Sequence, residues 1–312
     1  MKLKAVFVAL LLVVVGRLEA QRIIFTPQWT PQSQFAGYYV AQEKGFYEEA
    51  GVDVVIEHSS ASDLAFNRLQ RGQSDAITMH LFDAIYQIEK GYGLVNILQT
   101  AQRSGHVVVA RTDAIRSLED LRGCRVGIWR SSFGQLAQLM DLDHNLGIEW
   151  IPFVQSINLY ISGAIDATMA MIYNEVFWIL SSGFEDKKII PLAELGYDYP
   201  EEGLYISRSY FERYPDKARA FAEASRRGWE WAHEHPEETL EIVLDMMRRE
   251  GVPVSRLHQK WMLREVLKMQ IPTGEEQPYF GLDAEQVDAL NSLLIKHKRI
   301  SKPISVEQIQ GR

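Results

Sequence analysis

The stretch that opens with Arg22-Ile-Ile-Phe-Thr26, continues through Gln34-Phe-Ala-Gly-Tyr-Tyr-Val-Ala-Gln-Glu-Lys-Gly-Phe-Tyr-Glu-Glu-Ala50 and ends in Val52-Asp-Val-Val-Ile-Glu57 reads as strand, helix, strand. Its outer runs are short and rich in β-branched residues, as buried strands are. The middle run is long enough for several helical turns, and Gly51 stands where a left-handed residue ends a helix. The pattern continues with a helix over Ser62–Gln70 and a strand over Asp75–Met79. It resumes after the helix start Ser117-Leu-Glu-Asp120 with strands at Arg125–Trp129 and Ala167–Ile172, and runs to about Ile190. Strands alternating with helices predict an α/β fold, a mostly parallel sheet with helices on both faces.

The chain has 312 residues, more than one core usually serves, and two lobes are expected. An internal echo supports them. Leu69-Gln-Arg-Gly72-Gln-Ser-Asp75-Ala76 and Tyr160-Ile-Ser-Gly163-Ala-Ile-Asp166-Ala167 both set Gly-x-x-Asp-Ala between a helix and a strand. Common turn chemistry accounts for so short a match equally well. Crossings near Arg111 and Gly203 would divide the chain into a discontinuous first lobe, 21–111 plus 204–312, and an inserted second lobe, 112–203. After the strand Leu204–Ser207 the chain is nearly all helical. Pro236 and Gly251 interrupt its amphipathic stretch from Pro215 to Glu250. A ligand would sit between the lobes, outside the carboxyl ends of the strands.

Lys2 and Lys4, the apolar run Ala5–Gly16 and the polar stretch to Ala20 read as a secretory signal peptide over 1–20. Twelve apolar residues are too few for a bilayer core, which needs roughly 20 in a helix. Periplasmic export is therefore expected. The formal net charge is -8, from 41 acidic and 33 basic residues, which speaks against nucleic acid as a partner. The single cysteine, Cys124, has no internal disulfide partner and reads as a buried small residue.

Common enzyme signatures are missing: no His-Glu-x-x-His, Cys-x-x-Cys, Gly-x-x-x-x-Gly-Lys-Ser/Thr, Gly-x-Ser-x-Gly or Gly-x-Gly-x-x-Gly. No cofactor or metal is expected. His233 and His235 sit two apart, point to different sides of a helix, and read as solvated. The candidate ligand residues stand at strand ends. Trp29, after the first strand, is placed either to stack on a flat heterocycle or to close the core. Tyr38 and Tyr39 follow, one of them facing the cleft. His80 ends the strand that includes Met79. Trp129, Ser131 and Ser132 lead into a helix; Ser132 and Gln135 have capping-box spacing, and free N–H groups there suit an anion or a carbonyl. Tyr173 and Glu175 follow the strand of the second lobe. Glu175 is placed to accept from a ring amine or to stabilise a helix start.

Trp29-x-Pro31, Phe35 to Tyr47, Gly51-Val-Asp-Val54, Gly163-x-x-Asp-Ala167 and Tyr173-Asn-Glu175 together resemble the type 2 periplasmic binding proteins of the thiamine-pyrimidine family. The resemblance covers about 22–230. It implies a two-lobe, hinge-closing solute receptor, a monomer that delivers a small heterocyclic ligand to an ABC permease in the inner membrane. A thiamine-precursor aminopyrimidine is the first ligand implied, with riboflavin or a sulfonate as others; a sensory partner in place of the permease is the alternative use. Gln28 and Gln32 stand where the pyrimidine branch carries Asp and Asn. The related pyrimidine synthases use a lysine for pyridoxal phosphate and a Cys-rich motif. This chain has no lysine between Gly45 and Glu89 and only Cys124.

Overall fold

The computed structural model describes residues 22–60, 62–130, 134–153, 157–183 and 188–311. Residues 1–20, where a signal peptide is expected, and the candidates Ser131 and Ser132 lie outside the described residues. The strands are β1 Ile23–Thr26, β2 Val54–Ile56, β3 Ala76–His80, β4 Leu94–Gln99, β5 His106–Ala110, β6 Arg125–Trp129, β7 Glu149–Phe153, β8 Ala167–Met171, β9 Ile189–Pro191 and β10 Glu202–Ser207. They form two five-stranded sheets, ordered β2-β1-β3-β10-β4 and β7-β6-β8-β5-β9.

The two sheets are built alike. In each, three strands run parallel at one side, one antiparallel strand follows, and the last strand resumes the first direction. The antiparallel strands, β5 and β10, are those that begin immediately after a crossing. β5 starts with His106 opposite Met171, the end of β8, and β10 starts with Glu202 opposite His80, the end of β3. Both crossings are thereby brought to the carboxyl ends of the parallel strands. The expected boundary at Arg111 is corrected by this topology: β5 belongs to the second sheet, so the chain leaves the first sheet after Gln99 and returns at Glu202.

The Gly-x-x-Asp-Ala echo occupies equivalent places. Gly72 and Gly163 take φ of 69° and 79°, a region open to glycine at little cost. Asp75 accepts from the Ile24 backbone N–H at 2.9 Å, and Asp166 accepts from that of Arg125 at 2.8 Å. Each carboxylate fastens the strand it precedes to the start of a parallel neighbour. The helix expected over Gln34–Ala50 is divided: a 3-10 turn at Ser33–Phe35 leads into Ala36–Glu43, and Gly45 at φ 75° starts a further turn, Phe46–Glu49. Glycine's ease in the left-handed region makes the break. Cys124 is half-buried, its Sγ donating to the Asp120 carbonyl.

Of the C-terminal helices, Pro215–Glu234 packs against β4 and Ala36–Glu43, Pro236–Arg249 against Ala36–Glu43, and Arg256–Met269 against Pro236–Arg249 and the turn Ser33–Phe35. Pro215 and Pro236 sit in first turns, where no N–H is needed. Helix Pro215–Glu234 crosses Ala36–Glu43 at two glycines. A Cβ on Gly228 would lie 2.0 Å from the Gly37 carbonyl oxygen, and one on Gly37 would lie 2.2 Å from the Trp229 ring. At Gly228 the crossing is closed by the backbone of Gly37, which cannot turn aside, and at Gly37 by the buried Trp229 ring. Gly228→Ala is expected to lower the unfolding free energy by about 1–3 kcal/mol, the cost of overpacking a tight core. Urea unfolding measures it; a wild-type midpoint would mean that the helices separate without cost.

Candidate functional site

Where the chain passes between the sheets, its two crossings pair with each other. Ala101 N–H donates to the Glu202 carbonyl at 2.8 Å and Glu201 N–H to the Ala101 carbonyl at 3.1 Å. The Gln99 amide nitrogen donates to the carbonyls of Ala101 and Glu202, both at 3.0 Å. Consecutive residues of an extended segment point to opposite sides, so the adjacent acids part. Glu201 turns to the second lobe: its Oε1 accepts from Ser104 Oγ at 2.7 Å and Gly105 N–H at 3.0 Å, and meets the His106 ring. Glu202 turns to the first lobe: its Oε2 accepts from Gln28 Nε2 at 2.5 Å and Gln34 Nε2 at 2.6 Å.

Both acids face a cavity of about 20 Å³, room for a single water. Gln34, His80 and Trp229 line it from the first lobe, Tyr173 from the second, and Gln270 from the end of helix Arg256–Met269. Two lining residues carry buried polar atoms with no hydrogen-bond partner, Glu201 Oε2 and Gln270 Nε2, while the Trp229 indole N–H is directed to the Tyr38 hydroxyl. Such atoms are costly, roughly 1–3 kcal/mol each, and are rare in native interiors without a purpose. A second cavity of similar size, lined by Phe82, His106, Leu136 and Tyr199, shares His80 and Glu201 with the first as a common wall.

The electrostatics separate the two acids. Burial would raise the Glu201 carboxyl, but the charge and hydrogen bond of His106, with His80 and Ser104, outweigh it and hold the group below its ordinary value. Burial pushes Glu202 up to about 8; the two glutamine amides oppose this and the Glu201 charge adds to it. Glu202 is therefore mostly protonated at neutral pH. Burial likewise lowers His80 to about 4, leaving a neutral imidazole.

Residues 32–239, more than half of the chain, match the family described as NMT1/THI5 like. The chain belongs to the NMT1/THI5-like family. It is 26% identical to the formylaminopyrimidine-binding protein of Halalkalibacterium halodurans, over 89% of this chain and 86% of that one. It is 22% identical to the riboflavin-binding protein RibY of Chloroflexus aurantiacus, over 92% and 84%. It is 23% identical to the 4-amino-5-hydroxymethyl-2-methylpyrimidine phosphate synthase of Schizosaccharomyces pombe, over 78% and 74%. Among solved structures, the periplasmic aliphatic sulphonate binding protein SsuA of Escherichia coli superposes with a TM-score of 0.65 at 14% identity, covering 92% of each chain. The fold is that of the two-lobe periplasmic binding proteins.

Within this member of the NMT1/THI5-like family the sequence-derived candidates are partly gathered. His80 and Tyr173 line the first cavity. Tyr38 is buried behind it, its ring edge-on to Trp229 at 5.6 Å, whereas the Tyr39 hydroxyl bonds His58. Trp129 stands one ring further back, against His106 at 5.9 Å. Glu175 accepts from Trp129 Nε1 at 3.1 Å, Asn174 Nδ2 at 3.2 Å and the Met171 N–H at 2.8 Å, so in this arrangement it orients Trp129. Trp29 is half-buried against the core, its carbonyl meeting His58 Nδ1 at 2.6 Å. His233 is not solvated as expected: it is half-buried, with Nε2 against Gln270 Oε1 at 2.8 Å, which leaves the Gln270 amide nitrogen unpaired. Among the described residues no group of three His, Cys, Asp or Glu could hold a metal ion.

Sequence reasoning misses Glu201, Glu202, Gln34, Trp229 and Gln270. It marks Gln28 only as a departure from a family pattern, and the structure explains that departure. An amide there donates to Glu202, where an aspartate would put another carboxyl beside two buried ones. Because the Glu202 carboxyl is raised in the folded state above its ordinary 4.5, its contribution to stability is complete below pH 4.5 and is lost as pH rises through about 8. Between pH 5.5 and 7.5 the wild-type stability should therefore fall relative to Glu202→Gln by about 1.4 kcal/mol per pH unit. His58 and His80, both lowered by burial to about 4, act with the opposite sign in both proteins and cancel in the difference. Urea unfolding at several pH values reads it, and parallel stability curves would contradict a buried neutral Glu202.

Proposed function

We propose that this protein is an exported solute receptor that closes its two lobes around a planar, polar heterocycle, a thiamine-precursor aminopyrimidine first, and delivers it to an ABC permease in the inner membrane. The observation that carries the reading is the cavity between the lobes, whose lining includes Gln270 with an unpaired amide nitrogen, Glu201 with an unpaired carboxylate oxygen, and the Trp229 ring. Ligand pockets for small molecules are mostly apolar with a few convergent polar groups, and the rings of Trp229 and Tyr173 supply the flat apolar walls. Relatives named for formylaminopyrimidine and riboflavin, both planar heterocycles, support the same ligand class.

Closure has contacts to make it. Trp261 Nε1 donates to the Ile172 carbonyl of the second lobe at 2.9 Å, and the His258 ring lies 5.1 Å from Phe177 and 4.7 Å from Trp178. At another edge Asp143 of the helix Gln135–His144 meets Lys296 and His297 of the C-terminal region. With so little space between them, the lobes must part to admit a ring, and a ligand that favours the closed form supplies the free energy of closing. Pyridoxal-dependent synthesis has no support in the residues: the chain lacks a lysine between Gly45 and Glu89, and Cys124 is its single cysteine.

Thermal unfolding against a panel of aminopyrimidines, thiamine, riboflavin and alkanesulfonates tests the reading. A ligand at 100 times its Kd stabilises the fold by about 2.7 kcal/mol. Aminopyrimidines are expected to raise the Tm, and Trp229→Phe or Gln270→Met to weaken binding about tenfold while leaving the fold intact. A shift with riboflavin instead would keep the receptor and change its ligand. Full affinity in both variants would remove this cavity as the site.

A further inference from the structure

The charge of the site goes beyond its shape. Among the described residues, neither cavity has a lysine or arginine in its lining, whereas Glu201, Glu202 and Asp83 are all there. Arg130, at the end of β6, is exposed and lines neither. Glu201 spends Oε1 on the hinge and keeps Oε2 buried without a partner. One residue on, Glu202 is held by two neutral amide donors and no cation. The remaining titratable groups facing the acids are His80, His106, Tyr38 and Tyr173; His106 pairs with Glu201 Oε1 and offsets charge there, His80 is neutral, and burial holds both tyrosines well above their ordinary value. Burial keeps Glu202 protonated, and the Glu201 charge beside it adds to that effect.

We propose that Glu201 and Glu202 are a charge filter: the cavity takes uncharged or cationic ligands that present an N–H donor to Glu201 Oε2, and rejects sulfonates and phosphate esters. A single N–H edge on the ligand meets the carboxylate oxygen, while a ring nitrogen or carbonyl accepts from Gln270 Nε2. An oxyanion in the same place would face Glu201 across a few ångströms of low-dielectric interior, where unit charges interact strongly. The proposal rests on the receptor reading above and adds to it a rule that separates this chain from a sulfonate carrier of the same fold.

Calorimetric titration with matched pairs tests it: 4-amino-5-hydroxymethyl-2-methylpyrimidine against its phosphate ester, riboflavin against riboflavin 5′-phosphate, and an alkanesulfonate alone. In whichever pair binds, the uncharged member is expected to bind at least about 100-fold more tightly, and the sulfonate not to bind. Glu201→Gln should narrow that gap at least about tenfold, since a steric exclusion would not respond to charge. Should that variant fail to fold, the wild type serves. Between pH 7 and 9.5 the phosphate stays ionised while Glu202 loses its proton, so the gap should widen. A phosphate ester or sulfonate that binds as tightly as its uncharged counterpart overturns the filter and leaves the receptor standing. A gap insensitive to both Glu201→Gln and pH also overturns it. A panel silent in every member removes the receptor reading, and the filter with it.

Discussion

Two adjacent carboxyls are buried where the chain returns from one sheet to the other, and most of the surrounding polar structure answers that burden. Neither group could be desolvated alone without a large cost. Glu201 is met by a hydroxyl, a backbone N–H and the His106 ring; Glu202 is met by Gln28 and Gln34 and keeps its proton. The first set belongs to the chain leaving for the second lobe and the second set to the first lobe. The pair thus fastens the returning chain to both halves while one carboxylate oxygen is left without a partner.

The rest of the cleft is set by how closely two helices approach. With hydrogen alone at Gly37 and Gly228, helices Ala36–Glu43 and Pro215–Glu234 meet backbone to backbone, and the ring of Trp229 fits over Gly37 to become part of the cavity wall. Tyr38 packs edge-on against that ring and is itself tilted against Phe25 of β1 at 4.7 Å. From the sheet through two aromatic rings to the cavity, each position depends on the one beneath it. That is how a core residue on a distant helix comes to face the site while the strand-end Trp29 packs against the core.

Local rules make much of the architecture legible. Alternating runs indicate the α/β class. The Gly-x-x-Asp-Ala echo points to two similar halves because both copies make the same local structure, in which a left-handed glycine ends a turn and the aspartate binds a neighbouring strand's N–H. The break at Gly45 escapes such reading because the surrounding residues favour helix on both sides. β5 falls in the wrong lobe for a different reason. His106-Val-Val-Val-Ala110 carries no mark of which sheet it joins, since that choice is made by pairing with β8 and β9, some sixty and eighty residues away.

The site is legible only in part. His80 and Tyr173 stand at the ends of parallel strands, where local reading expects cleft residues, and both line the first cavity. Glu201 and Glu202, in Tyr-Pro-Glu-Glu-Gly, carry the composition of a solvated turn, and Trp229 and Gln270 lie in or at the end of helices with ordinary amphipathic patterns. The order of residues decided secondary structure, the repeat and the position of the glycines, all of which depend on neighbours within a few turns. Burial of the acids, the protonation of one and not the other, and the convergence of donors from three distant segments were decided by tertiary packing. Desolvation and charge act through space and have no signature in the local sequence.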